Sequence, residues 1–469
     1  MTTSQLTSRG AAGPAEPEAR STPPAAPPEP YRARRRLRLR LTGPGLLGAR
    51  AALAVLLLAA LCATAVIGAV TVRGDTSRLR TTVSERAAVA AQLRFALADL
   101  DAQHADTLAP GMSADGSGAY VGNQLEALIT AQQRRTEVSD ALRQLSGDSA
   151  HSDQVGALLD GLSRYDDLSG RAAFVDEQSP DRLAGHPPAV TVAMNAQAGA
   201  VMTQTLLPTA DKLAADYRQQ AGRAAAKVHT DTRRWIAVVG ALGAAALLFL
   251  LWWQRELARA YRRLLSPPLV AATAAVLAVC LAGTVALSSG AGAAGTADSQ
   301  GLRPWSRLAE AGAVAAQAAA AESRWFVQGD DLGRSDAARY TALTKRLDTL
   351  LAPDGYATAA ERPAYEDVLT RYRRFRADDT ALRRLKDAGR TDEAAVLLTT
   401  VGRGDIAFDF WDFATTLDQL AARRLDDFAH HAGDARGALG GWPAVPAGAL
   451  GAAAALVLLA VRPRLAEYR

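Results

Sequence analysis

The stretch "AALAVLLLAALCATAVIGAVTV" at residues 51–72 decides the fold of this chain. It contains no charged side chain, and about 20 apolar residues in a helix reach across the roughly 30 Å hydrocarbon core of a bilayer. A leader of 50 residues precedes it, and it lacks the small-residue cleavage site of a removable signal peptide. The stretch therefore predicts a retained membrane-spanning helix.

Three other stretches share this length and this lack of charge: 235–253, 269–289 and 442–461. Pro443 and Pro446 lie at the start of the last one, where a helix tolerates proline. The sequence thus predicts four spans. They contain no ionisable side chain of the kind that marks a transport pathway.

Arginine is concentrated in the short segments that flank these spans. Arg and Lys next to a span favour the cytoplasmic side of the membrane. With four alternating spans the basic segments all fall on one side, which predicts that both termini are cytoplasmic. These segments are the leader 1–50, with the cluster "YRARRRLRLR" at 31–40, the loop 254–268 and the tail 462–469.

The two long polar stretches, 73–234 and 290–441, are then expected outside the cell membrane. The Pro- and Ala-rich start of the leader predicts disorder. The arginine cluster that follows is expected to contact anionic headgroups of the lipid bilayer. The formal net charge of +5 therefore needs no nucleic acid as a partner.

Catalytic, metal and cofactor sites are not expected. Cys62 and Cys280 are the two cysteines, and both lie in apolar stretches, which leaves no disulfide framework and no Cys/His cluster for zinc. His430 and His431 are adjacent, so on a helix they point about 100° apart and cannot chelate as a pair. Since no nucleophile elbow or glycine-rich phosphate loop stands out either, we expect a protein that is not an enzyme.

Two near-identical tetrapeptides, "LSRY" at 162–165 and "LTRY" at 369–372, lie 207 residues apart. The same offset relates Trp235 to Trp442, and an offset of 218 relates Cys62 to Cys280 in the first and third spans. A recurring offset is the signature of an internal repeat. We infer a tandem duplication of one unit that consists of a span, an outer domain and a second span.

Each outer stretch reads as four helices separated by breaks rich in Gly, Pro and Asp. Leu206, Ala210, Leu213 and Tyr217, for example, follow helical spacing and predict one buried face. The expected fold is an all-α membrane protein with four transmembrane helices and two extracytoplasmic antiparallel four-helix bundles. The expected outer helices are 76–108, 119–146, 152–174 and 190–234, then 296–328, 334–352, 360–388 and 392–436.

A span, an outer four-helix bundle and a second span with a basic flank resemble the sensor module of chemoreceptors and sensor kinases. Those receptors act as homodimers, whereas here the duplication would supply both halves in one chain. The expected cytoplasmic segments are short and hold no signalling domain. The resemblance therefore implies that the signal passes to another protein.

The layout of residues 31–469 as a whole resembles the GlnX-like four-span membrane proteins of actinobacteria, in architecture, length and Ala/Arg-rich character. That resemblance implies two partners, an extracytoplasmic solute-binding lipoprotein and a cytoplasmic Ser/Thr protein kinase. It also implies that external amino-acid supply is coupled to kinase control of nitrogen and carbon metabolism.

Arginines next to aromatic residues are candidate ligand-binding groups. Arg94 in "QLRFA" and Arg324 in "SRWFV" lie near the ends of the first helices, and a guanidinium matches a ligand carboxylate with two parallel hydrogen bonds. The alternative is that both are solvated or pair with nearby carboxylates such as Asp99, Asp330 or Asp331.

Arg164 and Arg371 are two further ligand-binding candidates, because each precedes a repeated tyrosine, Tyr165 or Tyr372. A tyrosine can bury its ring while its hydroxyl reaches water or a partner. The alternative is therefore a structural clamp between helices, which would explain the repetition without a ligand.

The chain has one aromatic cluster, "FDFWDFA" at 408–414. Phe408, Phe410 and Trp411 are candidates for docking a partner or for forming the wall of a ligand site. At helical spacing the alternative is the hydrophobic core. The first unit has "NAQAGAV" near the equivalent place, so the two halves are expected to differ there.

Two functions fit this layout. The first is a non-enzymatic signal transducer that relays an extracytoplasmic cue, such as amino-acid availability, to a cytoplasmic partner. The second is a structural or scaffolding protein of the cell envelope, or an accessory subunit of a transporter. A built-in pair of bundles favours the first, since receptors of this shape act in pairs.

Overall fold

The computed structural model describes residues 43–261, 267–353, 357–438 and 440–466. Within these ranges the chain is almost entirely helical, which confirms the predicted all-α membrane class. The predictions for residues 1–42, which include the arginine cluster, fall outside the described residues. The same holds for residues 262–266 of the basic loop and 467–469 of the tail.

Helices dominate the described chain, and a single short hairpin, β1 (Gly111–Met112) and β2 (Tyr120–Val121), lies between two of them. The helices are α1 (Gly43–Arg78), α2 (Ser84–Asp106), α3 (Leu125–Leu145), α4 (Ser152–Glu177), α5 (Ala189–Val201), α6 (Leu207–Tyr261), α7 (Pro267–Thr296), α8 (Arg303–Leu351), α9 (Arg362–Asp387), α10 (Thr391–Thr399), α11 (Ile406–Ala438) and α12 (Ala444–Ala466).

Four helical stretches in the described ranges are long and apolar enough to cross a membrane, judged by length and composition. Their apolar parts belong to α1, α6, α7 and α12. Each of α1 and α7 packs against both α6 and α12, so the four form one apolar bundle. Its buried residues include Leu58, Leu61, Leu250, Trp253, Val276 and Val457.

In each half of the apolar bundle a tryptophan packs into a notch left by a glycine. A Cβ atom on Gly68 would lie 2.8 Å from the ring of Trp235, and one on Gly283 would lie 2.7 Å from the ring of Trp442. Both distances are shorter than side chains tolerate, so each notch requires glycine. Trp235 and Trp442 are the residues that the 207-residue offset relates, and they keep the same type of contact in both halves.

The polar helices of the two halves share one hydrophobic core. α2 packs against α8 across the boundary between the halves, while α3 and α6 pack on α2 and α11 packs on α8. The predicted buried stripe is confirmed. Leu206, at the end of the π-helical segment Met202–Leu206, and Ala210, Leu213 and Tyr217 of α6 are all fully buried. We refer to this assembly of α2–α6 and α8–α11 as the helical body.

Several of the expected outer helices have different bounds in the structure. The helices expected at 296–328 and 334–352 lie in one element, α8, which is kinked at Gly329. The prediction of one helix at 392–436 is wrong, because residues 400–405 form a turn between α10 and α11. Gly404 has φ +89° there, and the carboxylate of Asp405 accepts a hydrogen bond from the backbone N–H of Gly402 at 2.8 Å. The helix expected to begin at 119 begins at Leu125, because the hairpin precedes it.

Short π-helical segments join the membrane-spanning helices to the helical body at matching places. The segment Leu79–Val83 links α1 to α2, and Ala297–Leu302 links α7 to α8. Their first residues are 218 apart, the offset that also relates Cys62 to Cys280. A π-helical turn contains an extra residue and so rotates the helix after it relative to the helix before it. Each of the paths α1–α2 and α7–α8 can therefore bury one face in the apolar bundle and a different face in the helical body.

The second π-helical segment packs very closely against α11. A Cβ atom on Gly301 would lie 2.5 Å from Cβ and 2.6 Å from Cα of Phe428. Because one of these atoms belongs to the backbone of α11, the contact cannot be relieved by turning a side chain. Gly295, six residues earlier on the same chain segment, faces open space.

We expect Gly301→Ala to lower the free energy of unfolding by about 1–3 kcal/mol, because the added methyl forces α11 away from the segment. Gly295→Ala is the matched control and should leave stability unchanged or slightly higher, since alanine favours a helix. Thermal unfolding of the purified protein in detergent would measure both. Equal effects of the two substitutions would contradict the close approach.

Candidate functional site

A cavity of about 710 Å³ lies between the two halves of the helical body. α2 and α3 form its wall on the side of the first half, and α8 and α11 form its wall on the side of the second. Its volume falls in the range of small-molecule binding sites. We call it the central cavity.

The aromatic cluster predicted from "FDFWDFA" forms part of this wall. Phe408, Phe410 and Trp411 all line the central cavity. Phe410 packs inward against Phe375, with ring centroids 5.4 Å apart. Trp411 is 57% exposed at the rim of the cavity, and its ring centroid lies 5.9 Å from that of Phe408. The cluster therefore belongs partly to the hydrophobic core, through Phe410, and partly to the open rim of the cavity, through Trp411.

Acidic side chains outnumber basic ones in the cavity lining. Of the described residues that line it, five are acidic and one is basic. The basic residue, Arg134, is already paired, with its Nε 2.6 Å from Asp99 Oδ2 and its Nη1 2.8 Å from Glu137 Oε2. The acidic residues are Asp99, Asp106, Glu126, Glu322 and Asp418.

Glu322 is the most deeply buried of these acids. Only 1% of the residue is exposed, and its carboxyl group shares a hydrogen bond with the carboxyl group of Asp379 on α9. Burial, together with the charge of neighbouring Asp379, raises the pKa of Glu322 well above its usual range. Asp379 is itself paired with Arg383, whose Nε lies 2.9 Å from its Oδ1.

Asp106 reaches the cavity from α2. Its Oδ1 atom is buried and accepts no hydrogen bond from the described residues. Burial raises the pKa of this carboxyl to about 7, and the nearby charge of Asp99 acts in the same direction. Burial and neighbouring acids therefore favour the protonated form of both carboxyl groups.

Arg324 does not face the central cavity but lies 3% exposed at the junction between the halves. Its guanidinium pairs with Asp101 of α2 and with Asp336, whose Oδ1 lies 2.8 Å from Nη2. A Cβ atom on Gly199 of α5 would lie 2.9 Å from Cδ of Arg324, so that glycine makes room for the side chain. The carboxylates that meet its charge are thus Asp101 and Asp336.

Asp101 extends this network into the first half. It accepts a hydrogen bond from the hydroxyl of Tyr165 at 3.2 Å, and that hydroxyl also lies 3.0 Å from Nδ1 of His104. Burial lowers the pKa of His104 to about 4, so its ring is neutral and its Nδ1–H donates to Tyr165. The network joins α2, α4 and α8, which is the interhelical clamp considered for the repeated tyrosine.

Arg94 pairs with Asp211 of α6 and also lies outside the cavity lining. Arg94 and Arg324 are not equivalent in the repeat, although both precede an aromatic residue. With the offset of 218 that the π-helical segments follow, Arg94 corresponds to Gly312 and Arg324 to Asp106. The local likeness of "QLRFA" and "SRWFV" is therefore not a consequence of the duplication.

The other two candidate arginines lie at the surface of the helical body. Arg164 is exposed on α4, and Arg371 on α9 pairs with Asp367 at 3.3 Å and with Asp412. Neither lines the central cavity. The ligand-binding role of the four arginines stays a prediction, and their side chains meet at no common point in the described structure.

Sequence reasoning missed Glu322 and Asp106, the two buried acids of the cavity lining whose pKa values are raised most. One signal was present, since Glu322 follows the run "AVAAQAAAA" at 313–321, which is apolar except for Gln317. A charged residue that continues such a buried face needs a partner or a function. Asp106 carried no such signal, because it precedes a turn, where aspartate is common.

We expect Arg324→Met to lower the free energy of unfolding by about 3–5 kcal/mol, because it leaves Asp101 and Asp336 as buried unpaired carboxylates. Arg164→Met removes an exposed arginine and is the matched control, with little change expected. Denaturant unfolding in detergent would measure both. A small effect of Arg324→Met would contradict a structural role for this ion pair.

The raised pKa of Asp106 predicts a pH dependence of stability. Because the folded chain keeps this proton up to about pH 7 while the unfolded chain loses it near pH 4, stability falls as the pH rises across that window. Asp106→Asn removes the effect, so it should raise the free energy of unfolding by roughly 1–3 kcal/mol at pH 8 and change it little near pH 4.

Unfolding of wild type and Asp106→Asn at several pH values would test this, with Asp153→Asn, an exposed acid on α4, as the matched control. A difference between wild type and Asp106→Asn that is the same at pH 4.5 and pH 8 would contradict the buried, protonated carboxyl.

Residues 75–226 match a family model described as an actinobacterial sensor domain. The match covers α2 to α5, the first part of α6 and therefore the first-half wall of the central cavity. No curated protein and no solved structure matches the chain. The more specific resemblance to GlnX-like proteins stays a prediction. Residues 75–226 are thus similar to an actinobacterial sensor domain, and this similarity supports a sensing and signalling role for the chain.

Proposed function

We propose that this protein is a non-enzymatic transmembrane signal transducer. In this proposal the helical body lies outside the cytoplasm and both termini lie inside. An extracytoplasmic cue, such as an amino acid carried by a solute-binding lipoprotein, acts on the body. The signal then passes to a cytoplasmic partner such as a Ser/Thr protein kinase.

The observation that carries the proposal is the continuity between the sensor domain and the spans. α1 and α2 form one uninterrupted helical path through Leu79–Val83, and α7 and α8 form another through Ala297–Leu302. α6 alone runs for 55 residues, or roughly 83 Å at 1.5 Å per residue, from the body through the apolar bundle. A small displacement in the body therefore has three helices along which to reach the other end.

The fourth connection differs from these three. Residues 440–443 form a turn between α11 and α12, so the last span is not rigidly joined to the body. This difference between the fourth connection and the other three supports a relay in which the spans of α1, α6 and α7 move with the body, while α12 packs beside them. A relay also needs a cue that binds two states of the body with different affinity.

The cytoplasmic end of the bundle offers a place for a partner to read that displacement. Arg50 of α1 pairs with Glu256 of α6 at 3.0 Å and lies over the ring of Trp252, 5.0 Å from its centroid. These contacts join the first two spans beside the basic loop. A shift of α6 relative to α1 would change the charge pattern presented there.

Photo-crosslinking from two positions in living cells tests the proposal. We expect p-benzoylphenylalanine at Ser117, in the exposed hairpin loop, to capture an exported binding protein, and at Arg255, in the basic loop, to capture a cytoplasmic kinase. The two sets should not overlap, because a membrane separates them. Mass spectrometry of the purified crosslinked products would identify the partners.

Leu248 provides the control position, since it is 68% exposed within a span and should meet lipid rather than soluble proteins. Partners from one compartment at both Ser117 and Arg255 would overturn the proposed orientation. Envelope or transporter subunits at both positions would instead support the scaffolding alternative.

A further inference from the structure

Two pairs of carboxyl groups join α9 to the helices on either side of it. Asp379 shares a hydrogen bond with Glu322 of α8, and the preceding residue, Asp378, shares one with Asp409 of α11. Consecutive residues of a helix point about 100° apart, so the two aspartates reach different neighbours. α9 is therefore held to both α8 and α11 through contacts between acids.

These contacts require protons. Two ionised carboxylates repel each other and offer only acceptor oxygens, whereas a protonated carboxyl donates its O–H to an ionised partner. Glu322, Asp379 and Asp409 are 1%, 5% and 7% exposed, so water screens their repulsion weakly. Each pair is therefore favourable while it holds one proton and unfavourable when it holds none.

The surrounding charges do not replace these protons. Arg383 Nε lies 2.9 Å from Asp379 Oδ1 and neutralises that carboxylate, which leaves the other acid of the pair uncompensated. Asp106 of α2 adds negative charge beside the first pair, and Asp405 of the turn before α11 adds it beside the second. Tyr340 of α8 also faces the first pair, and burial raises the pKa of its hydroxyl, so it stays neutral.

The protons leave as the external pH rises. Burial and the contact with Asp409 raise the pKa of Asp378 to about 7, and burial with neighbouring Asp379 raises the pKa of Glu322 well above its usual range. Because these pKa values are raised in the packed state, the contacts are fully formed at acidic pH and weaken as the pH rises. Asp378 is half-buried, which gives the second pair access to the surrounding solution.

Both pairs lie against helices that form the wall of the central cavity. Phe375 of α9 and Phe410 of α11 pack beside the second pair, with ring centroids 5.4 Å apart, and Phe410 lines the cavity. On the other side, α8 continues through Ala297–Leu302 into the span of α7. A movement of α9 would therefore be felt in the cavity wall and at the root of a span.

We propose that the two carboxyl pairs make the second half of the helical body a proton sensor. At acidic pH the shared protons hold α9 against α8 and α11, and at alkaline pH their loss releases α9. This inference names external pH as a cue and rests on the proposed function for the relay of that cue. The movement itself is a property of the purified protein and needs no partner.

Electron paramagnetic resonance distances between two spin labels would measure the release of α9. Thr370→Cys on α9 and Ala157→Cys on α4 are exposed labelling positions in the two halves, and Cys62→Ala with Cys280→Ala removes the native thiols. We expect the distance between the labels to shift or broaden by on the order of 1–2 Å or more between about pH 5.5 and pH 8.5. The midpoint should lie at or above pH 7.

Glu322→Gln combined with Asp378→Asn should abolish this response. Each amide donates a permanent hydrogen bond to the acid that remains, so the labels should keep their acidic-pH distance at pH 8.5. Asp387→Asn, at an exposed position of α9, is the matched control and should respond like the wild type. Asp409→Asn changes the other member of the second pair and should remove the transition near pH 7, while melting curves verify that each variant folds.

Unchanged distances in the wild type across this pH range, or an equal response in the Glu322→Gln/Asp378→Asn variant, would overturn the inference. Such a result would leave the proposed relay standing if the crosslinking identifies partners on both sides of the membrane. A pH response that depends on the two pairs, together with no cytoplasmic partner, would retain the proton sensor and reject the transducer.

Discussion

The packing of α2 against α8 is the contact on which the rest of the helical body depends. Alanines such as Ala96, Ala98, Ala315 and Ala318 are fully buried there, and small side chains allow two helices to approach closely. α3 and α6 build outward from α2, and α11 builds outward from α8. Because α2 and α8 also continue into spans, this one contact sets the distance between the halves in both the body and the apolar bundle.

The spans, the repeat and the buried stripe of α6 were predictable because each leaves a periodic mark in a continuous stretch of sequence. The central cavity was not, because it arises where α2 and α8, more than 200 residues apart in sequence, leave space between them. The π-helical segments were missed as well, since an extra residue in a helical turn has no distinctive composition. Likewise, the ion pairs of Arg94 with Asp211 and of Arg324 with Asp101 were not predictable, because they join residues more than 100 positions apart in the sequence.

The buried charged residues on the two sides of the α2–α8 pair have different partners. On one side, Arg324 and Arg94 meet carboxylates within the protein and hold helices together. On the other side, burial and neighbouring acids raise the pKa values of Glu322 and Asp106, and Glu322 shares a hydrogen bond with Asp379. Packing alone would favour apolar residues at the places of Glu322 and Asp106. Both acids line the central cavity.

Carrying both halves in one chain has a consequence for how the pair evolves and responds. In a homodimer every substitution appears in both subunits. Replacing the aspartate with arginine would therefore put arginine in both halves, and no half would keep the acid. In a single chain, Arg324 and Asp106 occupy corresponding places with opposite charge. The tether also fixes a high effective concentration of each half for the other, so assembly of the body is independent of how many copies the cell makes.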